Sequence, residues 1–371
     1  MTRVITVDDL AGVVAEVGLD ALLDELIAAL AHTLRTHDPA RLVTHDRTGF
    51  EYRSPTLGLV EWMPALDVGR RVSIKTVGYH PANPGTTGAP SVLATTSLYD
   101  TADGRLAVIC ESTILTALRT GAASALATDV LAAPDAAMLG VVGCGAQAVS
   151  QIHAISRVRP IARVMAHDAD PAVAATLADR LAPVVPGLAV EVVDEQGLGR
   201  LLAGADVLCT CTTVNPGAGP VVPEGEHRPW LHVNAVGADC AGKCELPAGL
   251  LRQAALICPD VPAQCLAEGE AQQLTAADLG PDLAALVRNR TEWEGHRVRL
   301  TVFDSTGWAL EDLVAAELLA SHCERLGLGT VVELQPAVTD PHNPYHRLLP
   351  ATGRPPTPDP TQQPLTSGAL L

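Results

Sequence analysis

The sequence predicts an α/β protein in which a doubly wound parallel sheet is joined to an α+β region. Three observations support this prediction. An apolar segment ends in Gly143-Cys-Gly145-Ala-Gln-Ala148, followed by a helical pattern. Between residues 139 and 303, strand-like segments alternate with helices, which is typical of a parallel sheet. Residues 41–111 instead show the period of two that strands of a half-buried sheet have.

The sequence of the N-terminal third predicts two helices followed by strands that form a sheet. Residues 6–10 resemble a strand end and a helix cap leading into a helix over 10–17, and a second helix covers 22–35. Alternating strands follow at 48–53, 58–64 and 71–79, then a loop rich in Pro and Gly at 80–90. Two further strands, 91–99 and 105–111, are joined by an Asp-Gly turn. We expect these strands to form an antiparallel sheet.

The middle of the chain predicts an Ala-rich helix over 113–133 and then the parallel sheet. Its strands are expected at 139–142, 163–167, 190–193, 207–212, 230–234, 255–258 and 300–303. A last helix, 308–326, is expected to pack back against the first domain. The predicted domains are therefore 1–132 with 308–349, and 133–307. Residues 350–371 form a Pro-rich tail expected to be disordered or loosely attached.

The glycine segment has the features of a dinucleotide-binding turn. Gly143 permits the tight turn, Gly145 lets the backbone approach a pyrophosphate at the helix N-terminus, and Ala148 allows close packing. A second strand ends about 20 residues later at Asp168, the usual position of the acid that binds the ribose hydroxyls. A carboxylate there repels a 2′-phosphate, so the sequence predicts a Rossmann domain that binds NAD.

Composition excludes several classes of partner. The net charge of −17 gives no basic footprint for nucleic acid or an anionic membrane. We find no secretory signal and no apolar run long enough to span a bilayer, so a soluble, cytoplasmic protein is expected. The nine cysteines lack zinc-like spacing and are expected to be reduced thiols, with no metal site.

Several charged residues interrupt otherwise apolar segments. Lys75 and Glu61 each lie in an alternating strand and could point into a site or face solvent. Arg47 and Arg53 compete as a carboxylate clamp, for which the bidentate guanidinium is suited. Arg119 interrupts a helix of small apolar residues and needs an anionic partner.

Asp239 is the strongest candidate for chemistry. It ends Leu231-His-Val-Asn-Ala-Val-Gly-Ala-Asp, a strand that runs into a turn where the nicotinamide ring lies in such folds. An acid in a loop more often forms or caps a turn. Its place after a late strand of the nucleotide domain favours a functional role.

These segments together resemble the ornithine cyclodeaminase/mu-crystallin family over nearly the whole chain except the tail. The segments that carry the resemblance are Glu61-Trp-Met-Pro, Lys75-Thr-Val, Leu115-Thr-Ala-Leu-Arg119-Thr, Gly143-Cys-Gly-Ala-Gln147, Asn234-Ala-Val-Gly-Ala-Asp239, Glu268-Gly-Glu-Ala-Gln-Gln and Phe303-Asp-Ser305-Thr-Gly. Within the family, three longer segments are most similar to the lysine cyclodeaminases of secondary metabolism. They begin at Lys75, Leu118 and Asn234.

The resemblance implies a role for each matching residue. Arg47, Lys75 and Arg119 match positions that hold the substrate carboxylate, Glu61 matches an acid in the pocket, and Glu268 matches a carboxylate near the distal amine. Asp239 matches the catalytic acid. The positions that match the cofactor side are Arg119, Thr120, Gly143, Gly145, Ala146, Gln147, Asp168, Thr212, Val236, Lys243 and Ser305. Ser91 replaces a usual Thr beside the substrate but keeps the hydroxyl, and Cys240 and Cys244 have no counterparts that we can match.

The implied reaction converts L-lysine to L-pipecolate and ammonia. It proceeds by NAD-dependent oxidation, intramolecular cyclisation, loss of ammonia and re-reduction, with Asp239 transferring protons. Three alternatives remain open: an ornithine cyclodeaminase; an alanine dehydrogenase or cyclic ketimine reductase that consumes nicotinamide; and a non-enzymatic binder like mu-crystallin. Lysine and ornithine differ by one methylene, worth only about 1–3 kcal/mol in a pocket. The uncovered face of the antiparallel sheet, and the family, imply a homodimer.

Overall fold

A computed structural model describes residues 1–335, 337, 340–345 and 347–348 of the chain. Its strands form an eight-stranded and a seven-stranded sheet. The strands are β1 (Thr2–Ile5), β2 (Leu42–Thr44), β3 (Thr48–Tyr52), β4 (Gly58–Asp67), β5 (Arg71–Tyr79), β6 (Val92–Asp100), β7 (Leu106–Glu111), β8 (Met138–Val142), β9 (Arg163–His167), β10 (Ala189–Val192), β11 (Val207–Thr210), β12 (His232–Ala235), β13 (Leu256–Pro259), β14 (Thr301–Asp304) and β15 (Thr330–Val332).

Helices cover both sheets. They are α1 (Val7–Val17), α2 (Leu19–Arg35), α3 (Asn83–Thr86), α4 (Thr113–Leu131), α5 (Ala146–Val158), α6 (Pro171–Ala175), α7 (Leu177–Leu181), α8 (Leu198–Gly204), α9 (Ala248–Gln253), α10 (Pro262–Glu268), α11 (Leu283–Arg288), α12 (Arg290–Trp293) and α13 (Ala309–Leu326). Short 3₁₀ turns at Glu195–Gly197, Glu270–Gln273, Ala276–Asp278 and Glu294–Val298 lie between them.

The seven-stranded sheet is parallel throughout, in the order β10-β9-β8-β11-β12-β14-β13. Its central strands β8, β11, β12 and β14 are buried almost completely because helices cover both faces. The strand order reverses at β8, and the glycine turn follows this strand. The predicted fold class, α/β with a Rossmann-type parallel sheet and an α+β region, is confirmed.

The eight-stranded sheet has the order β15-β1-β7-β6-β5-β4-β2, with β3 paired to β4. The strands between β2 and β7 pair antiparallel, as the period of two predicted. Two features differ from the expectation. β1 pairs with β7 in parallel, and the three-residue strand β15, which the sequence pattern did not reveal, closes the edge beside β1.

The helix α4 lies at the centre of the molecule. It packs against α2, α5 and α13, and most of its side chains are buried. By length and composition it could cross a membrane, so the expectation that no segment was long and apolar enough is wrong on that criterion. Since 78% of its apolar stretch is buried inside the protein, the helix has the character of a core helix.

The helix α13 packs against elements from the N-terminal part of the chain. As predicted, α13 packs on α1, α2, β4 and β5 of the first region. Its first turn carries Glu311 and Asp312, which are buried. The exact domain boundaries stay a prediction. The tail predicted from residue 350 lies outside the residues that the structure describes.

Candidate functional site

The glycine turn has the geometry that a pyrophosphate requires. Gly143 has φ +92°, and a Cβ there would lie 2.8 Å from the carbonyl oxygen of Cys211, so neither the backbone conformation nor the space admits a side chain. Gly145 caps the N-terminus of α5, and a Cβ on it would meet no atom within 4 Å. The space above the turn is therefore open beside free N–H groups of the helix.

Asp168 lies directly beside this turn. Its Oδ2 accepts the Cys144 N–H at 2.7 Å, and its Oδ1 accepts the Asp170 N–H at 2.8 Å. An ionised carboxylate has about four acceptor positions, so two remain for the vicinal hydroxyls of a ribose. The turn and its acid fit the adenosine side of NAD.

Three predicted cofactor residues lie at the carboxyl edge of the sheet. Thr212 follows β11, and Val236 follows β12, donating its N–H to the Thr210 carbonyl at 2.9 Å. Ser305 follows β14 and donates its hydroxyl to Asp260 at 2.9 Å. Ligands bind at this edge in doubly wound folds.

The other predicted cofactor residues lie on two helix surfaces. Ala146 is exposed at the start of α5, whereas Gln147 donates from Nε2 to the Ser150 hydroxyl at 3.0 Å. The Thr120 hydroxyl donates to the Thr116 carbonyl at 2.7 Å, within its own helix. Among the described residues, the Thr120 side chain therefore makes no hydrogen bond to the other predicted residues.

Two of the three predicted carboxylate-binding cations are buried and already paired. Lys75 Nζ and Arg119 Nε each lie 3.1 Å from Asp312 Oδ1, and Arg119 Nη1 donates to Glu311 Oε2 at 2.8 Å. Burial lowers the pKa of Lys75 to about 8, Asp312 opposes this shift, and the charge of Arg119 adds to it. The pKa of Arg119 stays raised because its two carboxylate partners outweigh its burial.

The competition between Arg47 and Arg53 is resolved by burial. The Arg53 side chain is 83% exposed and pairs with Glu51 on the surface. Arg47 is 9% exposed; its Nε lies 3.1 Å from Glu268 Oε2, and its Nη1 lies 4.0 Å from Glu61 Oε2. Arg47 also donates to the carbonyl of Thr306, just after β14. Arg47 therefore belongs to the site and Arg53 does not.

The loop after β14 connects these cations to the carboxyl edge of the parallel sheet. Thr306 contacts Arg47, and a Cβ on Gly307 would lie 2.8 Å from Arg119 Nη1. Gly307 has φ +93°, so glycine is required there on two counts. The cationic group and the cofactor edge are therefore neighbours.

Asp239 lies in the loop that follows β12. Its side chain is 50% exposed, and its Oδ1 accepts a hydrogen bond from Lys243 Nζ at 2.9 Å. Burial raises the pKa of Glu61 and of Glu268, Arg47 opposes both shifts, and the nearby charge of Asp239 adds to both. Three carboxyl groups from three separate segments therefore lie close enough for their charges to interact.

Among the described residues, the side chains of Ser91, Cys240 and Cys244 make no hydrogen bond to the charged residues of the site. Ser91 is half-buried just before β6, and its carbonyl accepts the His80 N–H at 2.7 Å. Cys240 and Cys244 are free thiols whose pKa values burial raises. Within the described residues, no group of three or more His, Cys, Asp or Glu side chains is arranged to hold a metal.

Sequence reasoning missed the acids that support the site. Glu311 and Asp312 lie in Trp308-Ala-Leu-Glu-Asp-Leu, and two adjacent acids in an apolar segment could have indicated buried partners for cations. It also missed Glu245, which accepts the Thr212 N–H at 2.6 Å and the Gly237 N–H at 2.8 Å. Glu245 therefore holds two of the predicted cofactor segments together.

Comparison with known proteins places this geometry in a family. The model of the ornithine cyclodeaminase/mu-crystallin family matches residues 7–325. The chain is 40% identical to an L-lysine cyclodeaminase of Streptomyces rapamycinicus, over 93% of this chain and 99% of that protein.

Two solved structures have the same fold. A lysine cyclodeaminase, studied for its recognition of L-lysine, L-ornithine and L-2,4-diaminobutyric acid, superposes with a TM-score of 0.87 at 43% identity, covering 93% of this chain and 99% of that one. An archaeal alanine dehydrogenase dimer with bound NAD gives a TM-score of 0.78 at 26% identity, covering 90% and 99%. The chain belongs to the ornithine cyclodeaminase/mu-crystallin family.

Proposed function

We propose that the protein is an NAD-dependent L-lysine cyclodeaminase that converts L-lysine to L-pipecolate and ammonia. One observation carries the proposal. In a chain 40% identical to an L-lysine cyclodeaminase, the buried cations Arg47 and Arg119 contact the loop after β14, at the same carboxyl edge of the parallel sheet as the open glycine turn. The proposed reaction is that of an ammonia-lyase, and we assign it to secondary metabolism from the resemblance of three segments to such lysine cyclodeaminases.

The cations suit the α-carboxylate of the substrate. Arg47, Lys75 and Arg119 come from three different segments, and the contacts of Thr306 and Gly307 hold the two arginines beside the carboxyl edge. A carboxylate bound there has its α-carbon fixed relative to the sheet. Fixing the reacting atom in this way is the main contribution a protein makes to hydride transfer.

The carboxyl groups suit the amine end. Glu61, Glu268 and Asp239 together favour a cationic amino acid over a neutral one, because like charges that face one another are relieved by a positive ligand. The glycine turn and Asp168 would hold NAD, which would supply reversible hydride acceptance with no net redox change. Asp239, half-exposed and bonded to Lys243, can exchange a proton with an amine and with solvent.

The proposal is tested by product analysis. We expect that L-lysine, incubated with the protein and a catalytic amount of NAD, gives pipecolate in molar excess over the cofactor, identified by mass. Absorbance at the reduced-nicotinamide band should stay constant during turnover. A steady change in that band would instead identify a net dehydrogenase or ketimine reductase, and unchanged lysine and ornithine would end the proposal.

Ornithine is the second candidate substrate. The related lysine cyclodeaminase of known structure was studied with L-ornithine as well as L-lysine, and this supports testing both. If ornithine is preferred, kcat/KM for proline formation will exceed that for pipecolate formation. A preference that depends on one methylene group corresponds to a ratio of about 10–200 between the two kcat/KM values.

We also propose that the protein is a cytoplasmic homodimer. Its nine cysteines are free, which suits a reducing compartment. Phe50 is 68% exposed on β3, and Leu57 and Leu93 are also exposed near the same part of the eight-stranded sheet. Such apolar surface is typical of an interface between copies. Light scattering coupled to gel filtration should give twice the monomer mass.

A further inference from the structure

One carboxylate oxygen organises two of the cations at the site. Oδ1 of Asp312 lies 3.1 Å from Lys75 Nζ and 3.1 Å from Arg119 Nε. The three side chains are 4%, 2% and 6% exposed. Each comes from a different element: Asp312 from α13, Lys75 from β5 and Arg119 from α4. A single buried acid therefore fixes the separation of two ligand-binding groups.

The same contacts leave one edge of the guanidinium unused. Arg119 Nε is held by Asp312 and Nη1 by Glu311, while Gly307 packs against the guanidinium. Among the described residues, Nη2 has no hydrogen-bond partner. Lys75 likewise uses one of its three ammonium hydrogens, on Asp312. The remaining donors of both cations are available to a carboxylate.

We propose that Asp312 is a positioning residue that holds Lys75 and Arg119 in one arrangement and maintains the ammonium of Lys75 for binding the substrate carboxylate. The inference rests on the proposed function for the identity of the ligand. Asp312 acts through the two cations and is not itself assigned a contact with substrate.

The electrostatic surroundings of Lys75 support this role. It faces Asp312 on α13, Arg119 on α4, Arg47 in the loop after β2, and Glu61 on β4. Burial and the two arginines favour the neutral amine, and Asp312 favours the ammonium. With Asp312, the pKa of Lys75 is about 8. Without that charge the pKa must fall further, so the ammonium would be lost at a lower pH.

The variant that isolates this charge is Asp312→Asn, which keeps an acceptor oxygen. We expect KM for L-lysine to rise about ten-fold at pH 8, with a smaller change in kcat, since the partner of a buried cation is lost. The basic limb of the kcat/KM profile should move to lower pH by about one unit. Asp312→Glu retains the charge and should keep the limb in place while altering the geometry and raising KM.

A matched control lies on the same helix. Glu317 pairs with Arg70 at 3.3 Å on the outer side of α13, so Glu317→Gln should leave KM and the pH profile unchanged. Thermal unfolding and NAD binding, measured on every variant, separate misfolding from a local effect. Asp312→Asn that folds and retains the wild-type KM and pH limb would overturn the inference. If Asp312→Asn does not fold, a wild-type KM in Asp312→Glu would overturn it as well.

A direct titration separates this inference from the proposed function. The chain has only two lysines, Lys75 and Lys243. Full-length protein labelled with ¹³C at lysine Cε should therefore give two NMR signals, which Lys243→Arg assigns. Lys75 should titrate near pH 8 in the wild type and lower in Asp312→Asn. This result does not depend on turnover, whereas an inactive wild type would refute only the proposed function.

Discussion

Asp239 differs from the other charged residues of the site in being half-exposed, and its side-chain partner is Lys243. Lys243 is buried, and burial acts to lower its pKa, but Asp239 raises that pKa above the ordinary value. The pair comes from one loop, four residues apart. Its position at the mouth of the site suits a group that must pass protons between a ligand and water.

The first prediction concerns that carboxylate. Asp239→Asn keeps the shape of the side chain and its acceptor oxygen for Lys243 but cannot accept a proton. We expect kcat for L-lysine to fall at least about 10²-fold, the usual contribution of a general acid or base. NAD binding, followed by calorimetry, should be unchanged. Asp103→Asn, in the exposed turn before β7, serves as the control; normal turnover in Asp239→Asn would remove Asp239 from the mechanism.

The second prediction uses the two arginines that the sequence could not separate. Arg47→Lys replaces a fork that reaches Glu61, Glu268 and the Thr306 carbonyl by a single ammonium. KM for L-lysine should rise about ten-fold or more, since a bidentate contact is lost. Arg53→Lys changes an exposed side chain and should match the wild type in a parallel assay. Equal KM values in both variants would argue against a substrate contact at residue 47.

The local sequence pattern identified the cations of the site but not the acidic side chains that pair with them. Arg119 was predicted to need an anion because it interrupts an apolar helix. The anions lie 192 and 193 residues later, on α13, and no local periodicity encodes a pairing over that distance. The roles assigned to individual residues through family resemblance stay predictions until such variants are measured.

At the scale of elements, the turn between β8 and α5 contains one glycine that the backbone conformation requires and one that keeps space open for a ligand. Gly143 needs a positive φ and a close approach to Cys211, whereas Gly145 has an ordinary φ of −69° and open space above it. The two glycines therefore offer a matched pair of substitutions.

The third prediction compares them. Gly143→Ala should lower the free energy of unfolding by about 1–3 kcal/mol, because alanine is strained at that φ and meets the Cys211 carbonyl. Gly145→Ala should leave the unfolding midpoint within a degree or two but weaken NAD binding by about ten-fold, as the methyl group occupies the approach to the helix N-terminus. Unimpaired NAD binding in Gly145→Ala would place the pyrophosphate elsewhere.

Strong periodicity made most elements predictable, and short elements were missed for a physical reason. The parallel strands are continuous apolar runs between turn signals, so their positions followed within about two residues. β15 has three residues, two of them exposed, and is held by pairing with β1 rather than by burial. The parallel pairing of β1 with β7 likewise depends on a contact more than 100 residues apart, which no local signal reports.

At the scale of the whole molecule, buried acids connect the loops at the carboxyl edge. Glu245 accepts the Thr212 and Gly237 N–H groups, and Glu270 accepts those of Glu245 and Leu246. Asp304, at the end of β14, accepts those of Glu270 and Ala271. The loops that carry the site are thus fixed to the sheet by three carboxyl groups in series.

The fourth prediction follows from the titration of Glu270. Burial raises its pKa to about 8, backbone N–H groups oppose this shift, and the charge of Glu245 adds to it. A raised carboxyl pKa contributes stability that is fully present below the unfolded pKa of 4.5 and is lost as pH rises through about 8. The stability of the wild type relative to Glu270→Gln should therefore be greatest near pH 5 and decline toward pH 8, by a few kcal/mol at most.

Urea unfolding of both proteins at several pH values measures this difference. The control is Asp278→Asn, which lies on the exposed turn that follows. Its stability relative to the wild type should not change between pH 5 and pH 8. A wild-type advantage independent of pH would mean that Glu270 is ionised throughout this range.

The contacts of α13 also bear on the order in which the protein becomes functional during synthesis. A ribosome adds about 5–20 residues per second, and Lys75 and Arg119 are made long before residues 311 and 312. Until α13 leaves the exit tunnel, the nascent chain contains Lys75 and Arg119 but lacks the two carboxylates that pair with them. Termination between β14 and α13 would therefore release a chain that has every strand of the parallel sheet but lacks the two acids that pair with Lys75 and Arg119.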